Sequence, residues 1–258
     1  MPEITSYKDG QFCWADLTTS DPKAAKSFYT SLFGWSVKDI PMGDAGVYTM
    51  LEIRGKEVAA LSGMRDEEKK QGIPPHWNNY VSVSNADAAA KKAKSLGGNV
   101  VVPPFDVMEA GRMAFIADPQ GAVFAVWQAG RSIGSKIINE PNTMCWNELM
   151  TSDIEGARKF YSGLFGWKLK VSPEYTEIHL TEGDQGIGGM MQIRPDMKGM
   201  PPNWIPYFAV MDADGAAKKA KAGKAQIDVP PTDIPNVGRF SVLADPQGAR
   251  FTIIQIKM

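Results

Sequence analysis

The sequence predicts an α+β protein of two homologous domains built from four βαβββ-like units. Three observations predict it. A stretch from Phe12, FCWADLTTSDPKAAKSFYTSLFGW, returns at Met144 as MCWNELMTSDIEGARKFYSGLFGW, with about half the positions identical. The likeness resumes downstream: GIPPHWNNYVSVSNADAAAKKAKS from Gly72 matches GMPPNWIPYFAVMDADGAAKKAKA from Gly199, and ADPQGAVFAVWQ from Ala117 matches ADPQGARFTIIQ from Ala244. Within each copy, period-two stretches alternate with stretches of helical period. Residues 1–128 and 144–258 are therefore read as domains. Residues 129–143, which hold Gly, Ser, Asn and Pro without a clear period, are read as the linker.

The first copy shows each element in turn. Phe12 to Thr18 alternates, with Cys13, Ala15 and Leu17 on one face and Trp14, Asp16 and Thr18 on the other. Asp21 caps a helix and Pro22 takes its first position, where a missing N–H costs nothing. Ala25, Phe28, Tyr29, Leu32 and Phe33 form its apolar stripe, and Gly34 ends it. The apolar strand face should pack under this helix, so Trp14 and Asp16 should look the other way. Strands are expected at 35–40, 47–53 and 58–64, followed by a charged loop over 65–75. The pattern then restarts with a strand at 80–83, a helix at 87–96 and a strand at 100–102. It closes with a hairpin, 112–117 and 123–128, whose turn Asp118-Pro119-Gln120-Gly121 suits a type I geometry.

Composition limits function. The formal net charge of -1 argues against a nucleic-acid groove or a basic membrane patch. No apolar run approaches the roughly 18 residues that span a bilayer. The polar opening MPEITSYKDG has no signal-peptide core, so a cytoplasmic protein is expected, as a monomer or homodimer. Cys13 and Cys145 occupy equivalent positions of separate domains and read as small buried hydrophobes rather than as a disulfide. A phosphate-binding glycine loop and a paired CxxC motif are missing from the sequence.

The first strand, the capped helix ending in FYxxLFGW and the later DPQG hairpin resemble the glyoxalase/bleomycin-resistance/dioxygenase group, the vicinal oxygen chelate superfamily, over nearly the whole chain. The CWxEL opening is similar to that of a two-domain subgroup. The resemblance implies tandem glyoxalase-like domains whose modules form curled mixed sheets, each a cup. It also implies a divalent metal in enzyme members, held by a His or Gln on a first strand, a His on the next module's first strand and a Glu on a last strand. Carried onto this chain, those positions fall on Trp14, near Asn79 and on Ala125. In the second copy they fall on Trp146, near Pro206 and on Thr252. Neither copy keeps the triad, because these side chains do not supply about three N, O or S donors. No metal ligand is assigned and no cofactor is expected, with a divalent metal as the alternative.

The remaining candidates are few. Asp16 and Glu148 are acidic in both copies and share a face with Trp14 and Trp146, so they are the candidate catalytic carboxylates. The competing expectation is a structural carboxylate paired to Arg112 or Arg239. Trp14, Trp146, His179 and Asn79 are the candidate ligand-binding residues. The tryptophans could stack on a flat molecule, and His179 shares a polar strand face with Tyr175 and Glu177. The leading expectation is a protein that binds a small organic, aromatic molecule in a cup without the usual metal triad. The alternatives are a metal-dependent lyase, isomerase or oxygenase with a non-standard ligand set, such as Glu148 with His179, and a non-catalytic interaction protein. Neither nucleic acid nor membrane is an expected partner.

Overall fold

The computed structural model of the chain describes residues 3–181, 185–197 and 199–257. The first domain runs β1 (Phe12–Thr19), α1 (Pro22–Phe33), β2 (Ser36–Pro41), β3 (Val47–Ile53), β4 (Lys56–Gly63), α2 (Asp66–Lys70), β5 (His76–Ser82), α3 (Ala86–Ser95), β6 (Asn99–Val107), β7 (Gly111–Ala117) and β8 (Val123–Ala129). The second repeats the plan with β9 (Met144–Thr151), α4 (Ile154–Phe165), β10 (Lys168–Val171), β11 (Thr176–His179), β12 (Gly188–Gln192), β13 (Asn203–Ala209), α5 (Ala213–Ala222), β14 (Gln226–Ile234), β15 (Gly238–Ala244) and β16 (Arg250–Ile256). Among the described residues the strands form two eight-stranded mixed sheets, ordered β2-β3-β4-β1-β5-β8-β7-β6 and β10-β11-β12-β9-β13-β16-β15-β14. The α+β class and the tandem duplication stand as the sequence predicts. The charged 65–75 segment, expected as a loop, contains the short helix α2.

Local chemistry sets the helices. The Asp21 and Asp153 carboxylates accept from the N–H groups of Ala24 and Gly156, satisfying donors the first turn leaves open. Gly34 and Gly166 end α1 and α4 at φ 71° and 74°, the left-handed conformation that glycine adopts at least cost.

One apolar core runs through both domains, because the helices lie between the sheets. Phe33 of α1 packs on Phe208 of β13, with ring centroids 5.2 Å apart, and Tyr161 of α4 packs on Phe124 of β8 at 5.4 Å. Fully burying a side chain of this size contributes about 1.5–3 kcal/mol. The polar atoms of the repeated motifs then cross between domains in reciprocal pairs. The Tyr29 hydroxyl donates to Asp245 Oδ2 and the Tyr161 hydroxyl to Asp118 Oδ2, each at 3.0 Å. Within each domain, Trp77 Nε1 donates to Tyr29, and Trp204 Nε1 to Tyr161. Trp35 Nε1 donates to the Asn142 carbonyl, and Trp167 Nε1 to that of Gly10, both at 2.8 Å. Lys92 and Lys219 reach the carbonyls of Leu164 and Leu32 in the last turns of α4 and α1, the ends that favour cations.

Candidate functional site

The concave face of each sheet carries a carboxylate. On β1, alternation sends Ala15 and Leu17 to the shared core and Trp14 and Asp16 into the cup. A bulge between Phe12 and Trp14 breaks the expected parity. Phe12 takes the place on the helix side, and Cys13, expected there, joins the cup cluster instead.

Asp16 is 6% exposed and accepts three side-chain hydrogen bonds: from Tyr48 (2.9 Å) and Tyr80 (2.8 Å) at Oδ2, and from Asn78 (2.9 Å) at Oδ1. Trp14 Nε1 donates to the Tyr48 hydroxyl at 3.0 Å, so indole, phenol and carboxylate form a chain. The second cup repeats the chain with one donor fewer. Trp146 Nε1 donates to Tyr175 (2.9 Å), Tyr175 donates to Glu148 Oε2 (2.9 Å), and Tyr207 donates to Oε1 (2.8 Å). Ile205 stands opposite Glu148, where Asn78 stands opposite Asp16. Burial raises both carboxyl pKa values, and the phenols, with Asn78 for Asp16, pull them partly back. Burial, with the carboxylate charge beside them, also raises Tyr48, Tyr80, Tyr175 and Tyr207, so the phenols stay protonated as donors. Among the described residues neither carboxylate forms an ion pair. The expected arginine partners are engaged elsewhere: Arg112 binds Asp87 and Asp106, and Arg239 binds Asp214 and Asp233.

The two cups differ in how they are filled. In the first, Cys13, Trp14, Ala60, Tyr80, Met113, Ala125 and Trp127 are buried together. A strap from the linker crosses them. Ser132 accepts from Trp127 Nε1, while the N–H and hydroxyl of Ser135 donate to the carbonyls of Cys13 and Val58. Tyr7 lies against the same cluster and donates to the Ser135 carbonyl at 2.6 Å. In the second cup, Trp146, Glu148, Tyr175 and Cys145 are only half-buried. Glycines there seat the cup's own side chains: a Cβ on Gly189 would lie 2.0 Å from the Tyr175 hydroxyl, and one on Gly186 would lie 2.8 Å from the Trp146 ring. Gly189 stands beside Glu148 where Ala60 stands beside Asp16.

Asn79 requires a correction. It faces away from the cup into the domain interface, where its side-chain amide donates to Asn147 Oδ1. Strand parity puts its neighbour Asn78 in the cup instead. His179 sits at the end of β11 opposite Lys168, half-buried, with Nε2 3.3 Å from Glu177 Oε2. The four tyrosines carry no motif and were not among the expected site residues. Their signal was recurrence, since Tyr48 aligns with Tyr175 and Tyr80 with Tyr207. Burial pushes up both thiols, Cys145 to about 12, which leaves neither suited to attack as a thiolate.

A metal of the superfamily's kind does not fit these residues. The implied positions hold tryptophan, alanine or threonine, and the amide or proline at the third points out of the cup. Among the described residues no group of three or more His, Cys, Asp or Glu could hold an ion. A cavity of about 230 Å³ opens beside Phe12, Met144, Cys145, Asn147 and Gly186. No carboxylate lines it among the described residues, so the acid–base groups lie in the cups.

A family profile described as the glyoxalase/bleomycin resistance protein/dioxygenase superfamily matches residues 11–126 and again 148–253. CFP32 of Mycobacterium tuberculosis, provisionally named a glyoxylase, is 44% identical over 259 residues, covering 99% of this chain and 98% of that protein. DauV of Streptomyces sp. strain C5, named an anthracycline biosynthesis protein, is 33% identical over 272 residues, 98% of this chain and 96% of its own. The crystal structure of the 2,3-dioxygenase LapB from Pseudomonas sp. KL28 aligns with TM-score 0.68 at 12% identity, over 98% of this chain and 94% of that one. At that identity the likeness speaks for the fold alone. No described helix is long and apolar enough to cross a membrane.

Proposed function

We propose, from the premise that the chain belongs to the glyoxalase/bleomycin resistance protein/dioxygenase superfamily, that its second cup binds a small, flat aromatic molecule without a metal. The observation that carries the reading is the Trp146–Tyr175–Glu148–Tyr207 chain, which starts where the superfamily would place a metal ligand and whose Trp146, Tyr175 and Glu148 are half-buried. Trp146 offers a ring face for stacking, and Glu148 with its phenols offers polar contacts to a hydroxyl or carbonyl on the ligand. The relative named for anthracycline biosynthesis supports the choice of a polycyclic aromatic probe. The first cup is packed with its own side chains and crossed by the strap, so Trp14 and Asp16 serve the fold.

Titration with the hydroxyanthraquinone alizarin, followed by tryptophan fluorescence, tests this. Trp146→Ala should weaken binding by about tenfold, worth about 1.4 kcal/mol, and Trp14→Phe should leave it unchanged. Equal loss in both variants, or none in Trp146→Ala, would count against the second cup. Elemental analysis of protein prepared without chelators should find far less than one metal per chain. A stoichiometric transition metal removed together with alizarin binding would sink the metal-free reading.

A further inference from the structure

Glu148 has a setting that binding alone does not need. Its two oxygens each accept one phenol O–H, which leaves a second lone pair on each. The side chain is half-buried and faces the cup. Asp16, by contrast, is almost wholly buried, takes a third donor from Asn78, and lies in a cup filled by its own residues. Between the copies, the longer acid, the loss of the asparagine donor to Ile205 and the glycine at 189 all act on the second cup. The longer acid and the missing amide leave Glu148 with more reach and fewer donors, and the glycine seats the Tyr175 phenol beside it.

Resting on the binding reading above, we propose that the second cup catalyses proton transfer within an enolisable polycyclic aromatic ketone, interconverting its keto and enol (phenolic) tautomers. Glu148 acts as the base. A C–H bond next to the carbonyl, or conjugated to it through the ring as in anthrone, breaks and its proton passes to a Glu148 oxygen. Its electron pair forms the C=C bond of the enolate while the carbonyl π pair moves onto oxygen. Tyr175 or Tyr207 turns its O–H from the carboxylate to that oxygen as Glu148 is neutralised, so the donor follows the negative charge. Protonation of the oxygen by Glu148 gives the phenol, and return of the proton to carbon gives back the ketone. Atoms and electrons balance within the substrate and Glu148, and no oxidant, reductant or metal is required. A carboxyl raised by a dry setting is a stronger base once ionised, and the phenols stay neutral donors.

The test follows deuterium uptake at the acidic carbon of anthrone and of 2-tetralone, by NMR under anaerobic conditions in deuterated buffer, with alizarin binding measured alongside. Wild type should accelerate uptake by about 100-fold or more over buffer. The rate should rise with pH as Glu148 ionises. Glu148→Gln should lose the acceleration at saturating ketone, so that a loss of binding cannot account for it. Should Glu148→Gln fail to fold, Tyr207→Phe carries the test and should lower the rate at saturating ketone. Alizarin binding without accelerated uptake of either ketone overturns the catalytic proposal and leaves the binding reading standing, as does a Glu148→Gln protein as fast as wild type. Failure of wild type to bind alizarin or either ketone overturns both.

Discussion

Asp16 and Glu148 hold equivalent places on β1 and β9, yet they face different costs. Asp16 satisfies three buried donors, so Asp16→Ala would leave two hydroxyls and an amide N–H without their acceptor. At about 1–3 kcal/mol for each unsatisfied group, urea unfolding should report a loss of about 3 kcal/mol or more. The raised carboxyl values also fix a sign for pH. Both acids bind protons more tightly in the folded protein than in the unfolded chain, whose ordinary values are 3.8 for Asp16 and 4.5 for Glu148. Their contribution is therefore full below those values and is lost as pH rises through the folded ones. Glu148→Gln removes one such group. Its stability relative to wild type should improve as pH rises from about 4 to about 8, read by urea melts across the range. An opposite slope would mean that Glu148 is ionised and favourably held.

At the scale of elements, helices α1 and α4 join domains more than they build them. Tyr29 accepts from Trp77 on its own β5 and donates to Asp245 in the other domain's DPQG turn. That aspartate also accepts backbone N–H groups of Gln247 and Ala249, so it organises its turn and binds the tyrosine together. Tyr29→Phe keeps the ring packing and strands two partners. A cost of about 2 kcal/mol is expected, and the same is expected for Tyr161→Phe by pseudo-symmetry. A double-mutant cycle of Tyr29→Phe with Asp245→Asn should show coupling, whereas additive losses would mean the pair acts independently.

For the whole molecule, the consequence is that neither half is a finished folding unit. Phe208 and Phe251 of the second domain pack against Tyr29 and Phe33 of the first. Phe124 of the first domain packs against Tyr161 and Phe165 of the second. Scanning calorimetry of the full chain should give one cooperative transition. Residues 144–258 expressed alone should fail to give a dispersed NMR spectrum and should recover on co-expression with residues 1–143. Two resolved transitions, or an independently folded half, would contradict the shared core.

The duplication, the strand and helix pattern, the capping of α1 and α4 and the inward turn of Trp14, Asp16, Trp146 and Glu148 follow from the sequence alone. These depend on period and on residues a few places apart, which are local backbone properties. Parity went wrong where a bulge at Cys13 shifted one residue and where Asn79 rather than Asn78 was aligned with the cup. The partners lay beyond local reach. Which tyrosines hold each carboxylate, and that Arg112 and Arg239 do not, depends on strands brought together from distant sequence. That the FY, LFGW and DPQG motifs bond across the domains depends on how two sheets stack over shared helices. The strap over one cup, with the other left half-buried, separates two copies that share about half their residues in the repeated stretch into a filled site and a candidate active one. Only tertiary structure decides this, because burial and hydrogen bonding are set by what packs against a residue and not by its place in the chain.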